Sequence, residues 1–176
     1  LKGSVERKLE DRLKQYLDIE FFSGCSSGTD AITISLIASG IPTGSKVLVP
    51  AMTAQASVVA IIRAGMIPVF VDVNLQGLID IDATELAIKL HSPAAVLVVH
   101  LYGQTASYEL IKRCQKAEVI VVEDCAQAFG SKFPSGEYAG TVGDFGTHSF
   151  YPTKNLSTIG DAGGISVKND DQDIGR

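Results

Sequence analysis

The stretch AAVLVVHLYGQTASYELIKRCQKAEVIVVEDCAQAFG, residues 94–130, decides the fold. It opens on the apolar run 94–100 and closes on a second, VIVVED (119–124), with a helix predicted over 106–117 between them. A strand that is apolar at consecutive positions, rather than alternate ones, is covered on both faces. Two such strands joined through a helix make a parallel pair, because the crossover must return the chain to the same edge of the sheet.

Outward from this unit the alternation continues. Upstream, PVFVDV (68–73) reads as a buried strand, followed by the helix DATELAIKL (82–90) with Asp82 as its N-cap. Before it lie the short strand VLVP (47–50) and an apolar helix over 54–64 that stops at Gly65. A strand at 20–24 and a helix at 29–39, ended by Gly40, precede those. The first helix, 4–17, places Val5, Leu9, Leu13 and Leu17 at helical spacing. Downstream, the Gly-, Ser- and Pro-rich segment 130–143 reads as a long loop, and DFGTHSF (144–150) and GGISVKN (163–169) as the last two strands. The prediction is an α/β fold with three layers, α/β/α, around a mainly parallel seven-stranded sheet, and residues 1–176 as one domain.

The bulk properties narrow the function. The 176 residues carry a net charge of -5 and no basic stripe, which argues against a nucleic-acid surface. No apolar run reaches the length of a membrane helix, and Arg63 interrupts the longest candidate. The start, Leu1-Lys2-Gly3, has neither Met nor an apolar signal segment and reads as a trimmed or partly ordered terminus. Cys25, Cys114 and Cys125 lack metal-type spacing, so buried unreactive thiols in a reducing, cytoplasmic setting are expected, and no metal site.

Ligands of such sheets bind beyond the carboxyl ends of the strands. Three segments there carry chemistry. In CSSGTDA (25–31) a Ser/Gly-rich turn runs straight into a helix, whose unpaired N–H groups and dipole favour a phosphate. Gly28 permits close backbone approach; an ordinary N-cap by Ser27 or Thr29 is the other reading. The turn is neither GxGxxG nor a P-loop, which disfavours a nicotinamide-binding domain or a nucleotide hydrolase. Asp124 ends a strand of nearly pure Val and Ile, where an ionised carboxylate needs a partner. A protonated pyridine nitrogen is one such partner, and a turn or cap role is the alternative. Neighbouring Glu123 points to the opposite face and is the weaker candidate. In SFYPTKNLSTIGDAGG (149–164), Lys154 follows a strand end, with Ser149 as an upstream hydroxyl and glycines beyond. Most lysines are solvated surface groups; a Schiff-base lysine needs its pKa lowered by burial or nearby cations.

At these residues the chain resembles the DegT/StrS-type sugar aminotransferases, enzymes of the fold-type I architecture that use pyridoxal 5'-phosphate (PLP). The resemblance runs from about residue 20 to residue 169, on SSGTDA (26–31), PVFVDV (68–73), VVHLYGQ (98–104), VVEDCAQAFG (121–130), GDFGTHSFYPTKNL (143–156) and GDAGG (160–164), in that order. It implies that Lys154 holds PLP as a Schiff base and then acts as general acid–base. It also implies that Asp124 binds the pyridine nitrogen, Gln127 the hydroxyl side of the ring, and Ser149 the phosphate. Gly28, Thr29 and Asp30 match the turn whose backbone amides hold that phosphate. His100 and Tyr102 fall in a family segment near the site, without an assigned role.

The implied reaction moves an amino group from a donor, usually glutamate in the family, to a nucleotide-linked keto sugar, in a homodimer. Two departures stand out. In PAMTAQAS (50–57), Ala54 occupies the position where many members stack an aromatic residue on the PLP ring. Members are also longer, with a smaller C-terminal domain and a segment that reaches the partner's phosphate. The resemblance therefore implies that residues 1–176 are a large domain only, an inactive fragment by itself. Two other readings are a PLP-dependent deoxysugar dehydratase, a branch with histidine in place of Lys154, and a non-catalytic PLP- or partner-binding module.

Overall fold

The computed structural model describes residues 3–167. Its helices are α1 (Ser4–Leu17), α2 (Gly28–Ala38), α3 (Gln55–Arg63), α4 (Ile81–His91) and α5 (Tyr108–Lys116). Its strands are β1 (Phe21–Cys25), β2 (Lys46–Pro50), β3 (Ile67–Val71), β4 (Ala95–Val99), β5 (Ile120–Asp124), β6 (Phe145–Ser149) and β7 (Gly163–Val167). They form one seven-stranded sheet of order β1-β7-β6-β5-β4-β2-β3. Every neighbouring pair is parallel except those made by β7, which runs against β1 and β6. The sheet is therefore mixed but mostly parallel, as predicted. Lys168 and Asn169, included in the predicted last strand, lie outside the described residues.

The continuous apolar runs are explained by burial from both sides. Along β4, Ala95, Leu97 and Val99 pack with Ala31, Ile32 and Leu36 of α2 and Ala60 and Ile61 of α3. The intervening Val96 and Val98 join the opposite cluster, with Ala87 of α4 and Leu110, Ile111 and Cys114 of α5. Successive side chains leave a strand on opposite faces, so a strand between two helix layers needs both sets apolar. A third cluster sets Leu13 and Leu17 of α1 against Phe22 and Phe150. No helix among the described residues is long and apolar enough to cross a membrane.

Several local expectations change. The segment PVFVDV does not form a strand buried on both faces: β3 lies at the sheet edge, pairs only with β2, and leaves Ile67 and Phe70 more than half exposed. Pro68, which donates no N–H, suits an edge. Helix α4 is capped by Asp80, whose carboxylate accepts the Ala83 N–H at 2.9 Å, and not by Asp82. Asp82 lies in the first turn, where its charge favours the helix dipole. Helix α5 starts at Tyr108, with Ser107 as its cap, because Leu101–Gly103 form a short 3-10 turn. Cys114 and Cys125 are buried and Cys25 is half-buried, all three as free thiols. Burial pushes the Cys114 thiol up to about 11, so it stays protonated at neutral pH.

Candidate active site

The parallel strands bring the chemistry-bearing segments to one edge. Asp124 is the last residue of β5 and is nearly fully buried. Its Oδ1 accepts the Ala126 N–H at 3.0 Å, and its Oδ2 accepts the Ser57 hydroxyl at 3.2 Å. Burial pushes the Asp124 carboxyl above its usual range, while these two donors and, to a lesser extent, His100 and Lys154 act against that rise. Lys154 follows β6, the strand that neighbours β5 in the sheet. It sits half-buried in the turn after β6, where its backbone N–H donates to Tyr151 O at 2.8 Å.

The turn before α2 is closed by its own side chains. Ser27 Oγ accepts the Asp30 N–H at 3.1 Å and donates to Asp30 Oδ2 at 3.0 Å, while Ser26 Oγ donates to the same oxygen at 2.5 Å. Hydrogen bonds from Ser26 and Ser27 hold the Asp30 carboxyl below its usual range, and Arg63 lies 3.0 Å from its Oδ1. The Asp30 amide is thus capped by Ser27. The amides of Gly28 and Thr29 remain at the helix start, where no intrahelical acceptor exists.

Ser149 meets this turn directly. A Cβ on Gly28 would lie 2.7 Å from Ser149 Cβ. The antiparallel β7 completes the contact, since Gly163 pairs with both Cys25 and Ser149. A Cβ on Gly163 would fall 2.4 Å from the Ser27 carbonyl. The two absent side chains are what allow the helix start, Ser149 and β7 to meet.

Gln127 lies near the end of β4. Its Oε1 accepts the Tyr102 N–H at 2.9 Å, and Tyr102 adopts a left-handed backbone with φ 56°. Ala54 is the exposed N-cap position of α3 and offers no ring.

Glu123 does face away from Asp124, but it is a structural anchor that sequence reasoning missed. It is fully buried and accepts four N–H groups. Oε1 takes those of Val142 at 2.8 Å and Gly143 at 2.6 Å; Oε2 takes those of Gly140 at 3.0 Å and His100 Nε2 at 2.8 Å. His100 Nδ1 accepts the Ala106 N–H at 2.9 Å, so the ring proton sits on Nε2. Burial alone would raise the Glu123 carboxyl, but hydrogen bonds from His100, Gly143 and Gly140 outweigh it and hold the group below its usual range. Ser57 and Thr53 were missed as well; a serine near a helix start carries no signal that its hydroxyl turns onto a strand end. Among the described residues, no group of three or more His, Cys, Asp or Glu could hold a metal ion.

This geometry coincides with known proteins. A pleiotropic regulatory protein of Geobacillus stearothermophilus is 41% identical over 172 residues, covering 97% of this chain and 45% of that protein. A GDP-perosamine synthase of Escherichia coli O157:H7 is 37% identical, over 96% of this chain and 46% of its own length. The crystal structure of NtdA from Bacillus subtilis with bound cofactor PMP superposes with a TM-score of 0.85 at 35% identity, over 96% of this chain and 38% of that one. The chain spans about half the length of the curated relatives it matches. The family model for the DegT/DnrJ/EryC1/StrS aminotransferases matches residues 1–174, and the chain belongs to that family.

Proposed function

We propose that residues 1–176 are the cofactor-binding domain of a PLP-dependent aminotransferase that transfers an amino group, from glutamate, to a nucleotide-linked keto sugar. The observation that carries this reading is the buried Asp124 carboxylate at the end of β5, with the Gly28 helix start and Ser149 in contact at the end of neighbouring β6. Among the described residues the Asp124 carboxylate accepts two hydrogen bonds, at 3.0 and 3.2 Å, although a carboxylate has about four lone-pair sites. A protonated pyridine nitrogen is the cationic donor this shell lacks. The Gly28 and Thr29 amides beside the Ser149 hydroxyl fit a phosphate dianion at a helix start. The residues present therefore fit the cofactor.

When bound, PLP supplies an electron sink and carries the amino group between donor and acceptor. Asp124 would hold the proton on the pyridine nitrogen. Lys154 Nζ would anchor the cofactor and would serve as the base and acid that moves a proton at the substrate carbon. Gln127 has an amide nitrogen left over for the ring hydroxyl while its Oε1 holds Tyr102. Relatives named as sugar aminotransferases support the substrate class. The reading includes a cytoplasmic homodimer; the outward sides of α2 and α3 expose Ile34, Ile37, Val59 and Ile62, an apolar surface that suits subunit contact.

Borohydride reduction of the full-length protein with PLP, followed by peptide mapping, tests the assignment. The pyridoxyl group is expected on Lys154. Attachment to another lysine, or none in a folded PLP-treated protein, refutes it.

A further inference from the structure

We propose that Ser57 and Thr53 form a hydroxyl relay that positions Asp124 and keeps its carboxylate ionised toward the cofactor. The inference rests on the reading of Asp124 as the pyridine partner. Ser57 lies one residue into the second half of the first turn of α3 and is fully buried. Its hydroxyl reaches across the sheet edge to Asp124 Oδ2 at 3.2 Å, from a residue 67 positions earlier in the chain. Thr53 Oγ1 lies 2.7 Å from Ser57 Oγ. A serine hydroxyl has one proton, and Ser57 gives its proton to Asp124; the proton between the two hydroxyls therefore comes from Thr53. The chain runs Thr53 O–H to Ser57 O–H to the Asp124 carboxylate. Donating into Ser57 polarises its hydroxyl and strengthens the bond onward.

The relay has a clear task. Burial disfavours the charged carboxylate, and Ser57 is the only side chain that hydrogen-bonds it among the described residues. The other donor is the Ala126 backbone N–H, which side-chain changes other than proline leave in place. The titratable groups facing Asp124 are Lys154, from the segment after β6, and His100, at the end of β4, whose ring is turned onto Glu123. Glu123 and Cys125 flank it along the chain. Thr53 follows β2 at the edge where Ala54 offers no ring, so the same short segment serves Asp124 through hydroxyls.

The test uses the full-length protein with PLP as probe, and Ser57→Ala, Thr53→Val and Thr53→Ser. Ser57→Ala is expected to weaken PLP binding about tenfold or more, the scale of a hydrogen bond to a charged group. Thr53→Val is expected to weaken it about threefold, the scale of a neutral bond, with Thr53→Ser restoring it. In the apo-protein, labelled at aspartate Cγ and assigned with Asp124→Asn, the carbon-13 titration midpoint of Asp124 should be lowest in wild type, higher in Thr53→Val and highest in Ser57→Ala. A purely structural role would lower the melting temperature and leave that midpoint in place. An unchanged midpoint and PLP affinity in Ser57→Ala, or in Thr53→Val alone, overturns the relay. Should Ser57→Ala fail to fold, Thr53→Val carries the test. If wild type takes no PLP on Lys154, the proposed function fails, while the apo-protein titration still decides between relay and none.

Discussion

Replacing Glu123 by glutamine tests whether the sheet edge is held by one buried carboxylate. Glutamine has the same shape but a single acceptor oxygen. That oxygen retains one pair of donors, either Val142 and Gly143 or Gly140 and His100. The new NH₂ then faces the other pair, N–H against N–H. His100 escapes only by moving its proton to Nδ1, which orphans the Ala106 N–H instead. Two buried donors are left unpaired in either case, at about 1–3 kcal/mol each, so the expected loss is about 4 kcal/mol. That is a large part of the roughly 5–15 kcal/mol available to a domain. The assay is urea unfolding of the full-length apo-protein, followed by far-ultraviolet circular dichroism at pH 7. The pH dependence adds a second check. The Glu123 carboxyl titrates lower in the folded chain than its unfolded value of about 4.3, so its contribution is present above that value and lost as pH falls below it. Glu123→Gln should remove this acid-side loss. A variant within about 1 kcal/mol of wild type, with an unchanged acid limb, would refute the reasoning.

Other expectations concern the same edge. Asp124→Asn keeps an acceptor for Ala126 and removes a buried charge, so transamination should fall by about 10²-fold or more while PLP is partly retained. Because burial raises the Asp124 carboxyl, its ionisation costs stability once pH exceeds the unfolded value, and Asp124→Asn apo-protein should be the more stable one at pH 7; turnover near wild type removes the assigned role. Gly163→Ala places a Cβ 2.4 Å from the Ser27 backbone and should cost about 1–3 kcal/mol and weaken PLP binding by shifting the helix start off Ser149; unchanged melting and affinity would show that the contact is not tight. His148 is buried and neutral, its pKa lowered to about 4 by burial. A lowered histidine contributes stability above about pH 6.5 that is lost as pH falls through about 4. His148→Phe should flatten that limb, and an unchanged slope of stability with pH over this window counts against the assignment.

Much of this protein is legible in its residues taken locally. Runs such as AAVLVV and VIVV read as strands between two layers, and the alternation with helices makes them parallel. Asp124, Lys154, Ser149 and the SSGT turn stood out as candidates because each lies at a strand end or within a few residues beyond one, and strand ends of such a sheet share one edge. Burial of PVFVDV was misread because an edge strand and a central strand carry the same apolar run; neighbours, not composition, expose Ile67 and Phe70. The antiparallel direction of β7 likewise follows from pairing with β1 and β6, not from its own residues.

The partners of buried polar groups belong wholly to tertiary structure. Glu123 looked like the idle neighbour of Asp124, yet it gathers donors from His100, just after β4, and from 140–143. Ser57 looked like one more small residue in an apolar helix, yet its hydroxyl meets a carboxylate 67 residues on. Apolar content is a property each residue carries with it, so the sequence by itself determined which segments are strands or helices and in what order they alternate. A hydrogen bond exists only where donor and acceptor come within about 3 Å at the right angle, and that is decided when packed strands and helices bring distant segments into register.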